Sequence, residues 1–496
     1  MKTIGIVGTG AMGRGIIQWA LEAGASVLAF DARAGAAIEA VAFVGDLLKR
    51  AVAKGRMTEA ACQDAMRRIQ IAGSLGDLHA TDMVVEAIVE DLEAKRSLFT
   101  ELESVVRDDT VLCTNTSALS ITSCARVCRH PGRVIGLHFF NPVPLMKVVE
   151  VIQGERTAPD VVDRVLGFIR QTAHHPVVCS DTPGFVVNHA GRGLSTEGLR
   201  IVQEGVATYA DVDRVMRDYA RFPMGPFELF DLTGLDVSSL VLREVYEGFQ
   251  HDPRLRPTPL PFRRVEAGRY GRKVDDGFYQ YADGKKIEPN EADQPEATPG
   301  RVYLDVPAAL RPLFLREGME VTENVASADA IVISPIGDDA TTGAVAAGYD
   351  PQKVVAIDGL FPDRLVEGGR ATVMTTPLTT ETSVSIVQGL LTKAGLRITR
   401  IADSPGFIAQ RMLANIVNTA CDIAQQRIAV PDDIDEGVRR GLGYPAGPLA
   451  IGDQIGAPRV LQILQRLQAL TGDPRYRPSP WLRRRAQLGI SLKTPE

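Results

Sequence analysis

Two stretches of this chain repeat at one fixed distance. Asp181-Thr182-Pro183-Gly184-Phe185-Val186-Val187-Asn188 returns as Asp403-Ser404-Pro405-Gly406-Phe407-Ile408-Ala409-Gln410. Asp211 and Asp213 return as Asp433 and Asp435, Gly225-Pro226 as Gly447-Pro448, and Asp231 and Gly234 as Asp453 and Gly456, every pair at that same distance with no gap. A constant offset over so many positions marks a tandem duplication. From Asp181 to about residue 250 the patterning is helical, with turns at Gly205 and at Phe222-Pro223-Met224-Gly225-Pro226. The duplicated unit is therefore a helical domain, with copies expected over 181–283 and 403–496. Residues 284–300, rich in Pro, Glu, Asp, Gly and Lys, read as a linker. Short apolar runs at Ala330–Ile333, Val354–Ile357 and Thr372–Met374 suggest a degenerate α/β segment over 301–402. It carries no glycine fingerprint. Against the first half, it sets Val373 opposite Glu150 and has nothing for Gly136-Leu137-His138, so the second half is expected to lack both cofactor and catalytic groups.

Residues 1–180 have another texture. Thr3–Val7 is a short apolar strand, Gly8-Thr9-Gly10-Ala11-Met12-Gly13 fits G-x-G-x-x-G, Arg14–Ala23 has apolar residues at helical spacing, and Ser26–Asp31 is a strand ending in an acid. The glycines allow a tight turn and close approach of a pyrophosphate to a helix N-terminus, where free N–H groups favour anions. Asp31, closing the second strand, is in place to hydrogen-bond ribose hydroxyls. A carboxylate there repels a 2′-phosphate, which favours NAD over NADP; Arg33 reads as a solvated loop residue. Two helices follow over 35–70, joined by Lys54-Gly55-Arg56, which read as an exposed loop. Asp82–Glu90 and Thr110–Ser117 are further strands, with an amphipathic helix carrying Lys95 between them. The fold class is thus α/β: an N-terminal dinucleotide-binding domain (1–180), then the helical domain, linker, degenerate α/β segment and second helical copy.

Val134–Leu137 reads as a buried strand delivering His138 to its end, and Lys147–Ile152 as the next strand, carrying Glu150. Adjacent strands bring the two side chains together. A carboxylate on one imidazole nitrogen orients the ring, so that the other nitrogen can take a proton. Of the seven histidines, only His138 has a strand-borne carboxylate partner beside the dinucleotide half. His189 reads as a helix surface residue. Arg126, Arg192 and Arg200 read as exposed salt-bridge partners rather than contacts for a second carboxylate on a substrate.

The net charge of −6 gives no electrostatic footprint for nucleic acid. No apolar run approaches the roughly 20 residues of a membrane span, and Met1–Val7 is too soon interrupted by glycine for a signal peptide. None of the six cysteines forms a Cys-x-x-Cys pair, and Cys124 and Cys128 have no third metal ligand nearby. Free thiols in the cytoplasm and no metal are expected.

The chain resembles the L-3-hydroxyacyl-CoA dehydrogenase family. The matching pieces are Gly8–Gly13, Val85–Glu90 with Lys95, Thr114–Ser117, Gly136–Pro142, Lys147–Glu150, Asp181–Asn188 and Pro223–Leu229, in the family's order over about 1–281. The duplicated long form looks like the 3-hydroxybutyryl/3-hydroxyadipyl-CoA dehydrogenases of phenylacetate-type degradation. The resemblance implies a Rossmann-type domain, NAD, and oxidation of an (S)-3-hydroxyacyl-CoA to the 3-ketoacyl-CoA. It implies His138 as base with Glu150 as its partner, and Ser117 and Asn188 at the reacting oxygen. Asp31 would hold the adenosine ribose, Glu90 and Lys95 would lie at the nicotinamide ribose, and Asn141 near the nicotinamide. Met12 and Asn115 belong to the dinucleotide motifs, and Lys54 would meet the CoA phosphates. In short relatives the helical domain is the dimer contact; here the second copy is expected to pack on the first, with a homodimer of the whole chain left open. Ala118, His189 and the acids Asp275-Asp276 depart from the family's usual residues and bear on acyl preference and packing. Two rival readings remain: an NAD-dependent dehydrogenase of a free hydroxy acid, and a non-catalytic NAD-binding regulator.

Overall fold

The computed structural model describes residues 1–291, 298–315, 320–366 and 369–496. Two compact units emerge: Met1–Val187 with Gln426–Leu442, and Asn188–Gln425 with Gly443–Glu496.

The first unit is built on an eight-stranded sheet in the order β3-β2-β1-β4-β5-β6-β7-β8. Its strands are β1 (Thr3–Val7), β2 (Ser26–Phe30), β3 (Ile69–Ile71), β4 (Met83–Glu86), β5 (Val111–Thr114), β6 (Val134–Phe139), β7 (Val148–Gln153) and β8 (His175–Ser180). All neighbouring pairs are parallel except β6–β7. Strand order reverses beside β1, which opens a crevice at the carboxyl ends of β1 and β4, the usual ligand site of such sheets. Trp19, on the helix Ala11–Glu22, packs edge-on to Phe139 (4.7 Å) and Phe168 (5.3 Å) and fixes that helix to the sheet. The expected strand Asp82–Glu90 stops at Glu86: Ala87 N–H makes the last bond to β1, at Val7 O, and the chain then turns as Ile88 N–H donates to the Glu86 carboxylate.

Residues 426–442 come from the second helical copy, yet belong to this unit. Their helix Pro431–Leu442 covers the open edge of β8: Val178 N–H donates to Asp433 (3.0 Å) and Ser180 N–H to Ile428 O (2.9 Å). An unpaired sheet edge is thereby satisfied.

In the second unit, the helices Val187–Gln203 (from Asn188 on) and Ala409–Gln425 occupy repeat-related positions. Asn415 Nδ2 donates to Gly193 O at 3.1 Å, so a position meets its own repeat. Phe222 and Tyr444, likewise related by the repeat, meet edge-on with ring centroids at 4.9 Å. The guanidinium of Arg254 donates to Arg477 O and that of Arg475 to Arg256 O, a reciprocal pair. Such self-matching contacts are the signature of a twofold arrangement. The repeated Asp231 and Asp453 have parallel work: Asp231 accepts from Phe278 and Tyr279 N–H, and Asp453 from Leu492 N–H and the Ser491 hydroxyl.

The expected linker begins as structure. Gln280–Ala282 (β9) and Lys285–Ile287 (β10) pair as a hairpin across Asp283-Gly284, both with positive φ, an arrangement that Asp-Gly favours. Residues 292–297 of that stretch lie outside the described residues. The segment after it carries a six-stranded sheet, ordered β12-β11-β13-β14-β15-β16. Its strands are β11 (Arg301–Asp305), β12 (Glu320–Val321), β13 (Ala330–Ile333), β14 (Val354–Ile357), β15 (Arg370–Thr375) and β16 (Arg397–Ile401). Among the described residues no helix is long and apolar enough to cross a membrane.

A Cβ on Gly193 would lie 2.7 Å from Ile416 Cα and 3.1 Å from its nitrogen, backbone that cannot step aside. Gly193→Val is expected to lower stability by about 1–3 kcal/mol, read as a lower thermal midpoint. Gly167→Ala, inside the helix Pro159–Ile169 and with a Cβ that meets nothing within 4 Å, is the control and holds the midpoint or raises it slightly through helix propensity.

Candidate active site

His138 and Glu150 face each other directly in the antiparallel β6–β7 register. His138 Nδ1 lies 2.7 Å from Glu150 Oε2. A carboxylate only accepts, so Nδ1 carries the proton and Nε2 is left to take another. Both side chains are buried, and the rings of Phe140 and Phe185 flank the imidazole at 4.5 and 5.9 Å. The second Glu150 oxygen, Oε1, accepts the N–H groups of Val186 and Val187, both at 2.9 Å. Asn188 follows Val187 in the chain and opens the second unit.

The glycine fingerprint forms a tight cradle. Gly8 has φ +91°, and a Cβ there would sit 2.5 Å from Ala87 O; one on Gly13 would strike Gly8 O at 1.9 Å. Gly10 faces open space and starts the helix Ala11–Glu22 with no side-chain cap and no acid in the first turn. Met12 is half-buried against the core. Exposed N–H groups, a bare backbone and an uncapped helix end suit a pyrophosphate. Asp31 accepts from Thr9 N–H (2.7 Å), the Thr9 hydroxyl (2.8 Å) and Arg33 N–H (2.9 Å). Burial opposes its ionisation, but these donors outweigh it and hold the carboxyl below its usual range. Arg33 pairs with exposed Glu39 at 2.7 Å, away from a second-phosphate role.

Glu90 and Lys95 belong to a network that includes a residue the sequence reading left unassigned, Glu86. Lys95 is buried, with Nζ 2.5 Å from Glu86 and 3.3 Å from Glu90. Glu90 Oε1 accepts from the Thr116 hydroxyl (2.6 Å), Ser117 N–H (2.8 Å) and Ser117 Oγ (3.2 Å). Burial opposes ionisation of Glu90, but Thr116, Lys95 and Ser117 outweigh it and keep the carboxyl low. Lys95 therefore acts through Glu90 and Glu86 rather than as a free cation. The signal for Glu86 was an acid closing an otherwise apolar strand. Asn115 Oδ1 accepts Phe139 N–H at 2.8 Å and ties the end of β5 to the residue after His138. Asn141 lines a cavity of about 940 Å³ with Lys54, Arg14, Arg50, Arg56 and Lys147, against a single acid, Glu22.

Residues 3–182 match the 3-hydroxyacyl-CoA dehydrogenase NAD binding domain, and residues 184–281 and 406–495 match the 3-hydroxyacyl-CoA dehydrogenase C-terminal domain. The chain belongs to the 3-hydroxyacyl-CoA dehydrogenase family. It is 35% identical to the 3-hydroxyadipyl-CoA dehydrogenase of Escherichia coli K12, over 98% of both chains. It is 37% identical to the 3-hydroxybutyryl-CoA dehydrogenase of Clostridioides difficile, over 56% of this chain and 99% of that one. Among solved structures, a 3-hydroxybutyryl-CoA dehydrogenase from Escherichia coli K12 matches with a TM-score of 0.85 and 35% identity, covering 98% of each chain.

Within this family member the second α/β sheet repeats the first from β1 onward. Both run parallel, parallel, parallel, antiparallel, parallel. Among the described residues, the glycine turn and helix that follow β1 have no counterpart in it. The strand register differs from the expected alignment at Val373. Thr372 pairs with Thr399 as Glu150 pairs with Val177, so Thr372, not Val373, stands at the Glu150 position. Ile357 pairs with Val373, which places the next residue, Asp358, opposite Thr372 at the His138 position. Gln410, the repeat of Asn188, donates to Asp358 at 3.0 Å. Asp358 thus replaces the imidazole, and Thr372 its carboxylate partner. Two further expectations change. His189 is buried against Phe249, ring centroids 4.5 Å apart, because the helix bearing it is packed on all sides. Arg200 does pair, with Asp473 and Glu204, but Arg192 is buried and pairs with no carboxylate; Arg126 is exposed without an ion pair among the described residues.

Burial raises the Asp358 carboxyl to about 6, against the pull of Gln410 and Leu360 N–H. The folded state then holds the proton more tightly than the unfolded chain, so the stabilisation is complete below about pH 4 and is lost as pH rises through about 6. Asp358→Asn removes this titration. Its stability relative to the native chain is expected to rise by roughly 2–3 kcal/mol between about pH 4.5 and about pH 8, read from urea midpoints. A pH-independent difference contradicts the assignment.

Proposed function

We propose that this chain oxidises an (S)-3-hydroxyacyl-CoA to the 3-ketoacyl-CoA, with NAD accepting the hydride. The buried His138–Glu150 pair, 2.7 Å apart in a domain of the dehydrogenase family, carries the reading. His138 Nε2 removes the hydroxyl proton as hydride leaves C3, while Glu150 keeps the ring in the right tautomer and stabilises the imidazolium. Ser117 and Asn188 hold the reacting oxygen. The second copy supports the role of Asn188, since its counterpart Gln410 contacts the counterpart of His138. Gly8, Gly10, Met12 and Gly13 form the pyrophosphate cradle, and Asp31 takes the adenosine ribose. Glu90, held by Lys95, lies at the nicotinamide ribose with Asn115 and Asn141 alongside. The five cations lining the 940 Å³ cavity, Lys54 among them, suit the phosphates of CoA.

The acyl group is short: relatives named for 3-hydroxyadipyl-CoA and 3-hydroxybutyryl-CoA support that range. The second helical copy takes the place of a partner subunit, an assignment supported by the self-matching contacts of Gly193 with Asn415 and Phe222 with Tyr444. Six unpaired cysteines fit a reducing cytoplasm.

His138→Gln is expected to reduce turnover by roughly 10²–10⁴-fold while NAD affinity, measured by fluorescence titration, stays near native. Unchanged turnover contradicts the base assignment. Equal rates on the free 3-hydroxy acid would favour the hydroxy-acid reading instead, and NAD binding without turnover the regulator.

A further inference from the structure

Two buried arginines stand apart from the rest: Arg485, which has no carboxylate within 4 Å among the described residues but donates to Thr494 O and lies over the Trp481 ring, and Arg192. Arg133, Arg214, Arg254, Arg370, Arg411 and Arg475 are all buried, and each has a carboxylate within 4 Å. Arg192 is only 9% exposed, and among the described residues no carboxylate lies that close to it. Its Nε donates to Asn188 O at 2.8 Å, and Nη1 has no partner. Burying a guanidinium without a counter-charge is costly. Burial pulls Arg192 down to about 10, and Tyr444 is the one group opposing that.

Two further polar atoms beside it are also buried and unpartnered: the Tyr444 hydroxyl and His189 Nδ1. Burial lowers His189 to about 3, helped by Arg254 and Arg192, so it stays neutral. The group is therefore one uncompensated cation with a free hydroxyl and a free imidazole nitrogen, a donor set matched to a carboxylate. Its position argues the same way. Arg192 is four residues after Asn188, on one helix face and about 6 Å along the axis. The repeat of Arg192 is Ala414, so the cation is present only in the copy that has the catalytic groups.

We propose that Arg192, with the Tyr444 hydroxyl, binds a second carboxylate at the far end of the acyl chain, making a dicarboxylic 3-hydroxyacyl-CoA the preferred substrate. This rests on the dehydrogenase reading above and on Asn188 facing the reacting oxygen. A tail ending about one helical turn from that oxygen fits the spacing; a butyryl tail leaves the cation unmatched.

The test uses the full chain with NAD and three substrates: 3-hydroxyadipyl-CoA, its analogue with the terminal carboxylate replaced by an amide, and (S)-3-hydroxybutyryl-CoA. The native chain should prefer the acid over the amide by roughly 10²-fold in kcat/KM. Arg192→Met should abolish that preference, and Arg192→Lys, which keeps the charge but not the fork, should restore part of it. Equal kcat/KM for acid and amide in the native chain overturns the proposal without any variant. So does a preference that survives in a folded Arg192→Met chain. Activity on the butyryl thioester with no acid preference removes only the Arg192 assignment, whereas inactivity on all three removes the dehydrogenase reading with it.

Discussion

A carboxylate cut off from solvent holds the catalytic half together. Glu150 is fully buried, and a buried charge persists only where hydrogen bonds replace its water. Three donors do so here: His138 Nδ1 on one oxygen, and Val186 and Val187 N–H on the other. One side chain therefore fixes the antiparallel pairing of β6 with β7, the tautomer of His138 and the first turn of the helix that carries Asn188. These parts lie well apart along the chain, and Glu150 makes them one structure.

The same logic organises the cofactor side. Lys95 and Glu86 are buried together, and Glu90 is shared between Lys95 and the Thr116-Ser117 turn. Both clusters hang on the first sheet. The second sheet has kept the strand pattern and replaced the chemistry. Asp358 at the histidine position bonds Gln410 and Leu360 N–H, and its carbonyl accepts the Tyr219 hydroxyl. A position proposed to move a proton in one copy fastens helices to a sheet in the other. The second copy also contributes packing, as in the contact of Asn415 with Gly193.

Much of this was legible in the residues. The dinucleotide fold announces itself because a strand, three glycines, a helix and an acid follow one another with no long-range step. His138 and Glu150 could be paired because their strands are consecutive in the chain. The duplication could be read because its copies keep one offset. What failed were inferences across an insertion or across packing. The step from His138 to Asp358 is two positions shorter than the step from Glu150 to Thr372, so a gapless match slips between them. Arg192 and His189 read as surface residues because helix periodicity says nothing of a second helix arriving from the distant repeat. The transfer of 426–442 to the first unit is likewise set by an unpaired strand edge, which no local pattern records.

The most direct test of the account is the turnover of Glu150→Gln with (S)-3-hydroxybutyryl-CoA and NAD, followed as NADH formation. The glutamine carbonyl can still accept the Val186 and Val187 N–H groups, so the helix start survives. Its amide, however, presents a donor to Nδ1, which moves the imidazole proton to Nε2 and removes the base. The account predicts native-like NAD binding with turnover lower by roughly 10²–10⁴-fold. Turnover within about threefold of native would show that the His138–Glu150 pair is structural, and would contradict the account at its centre.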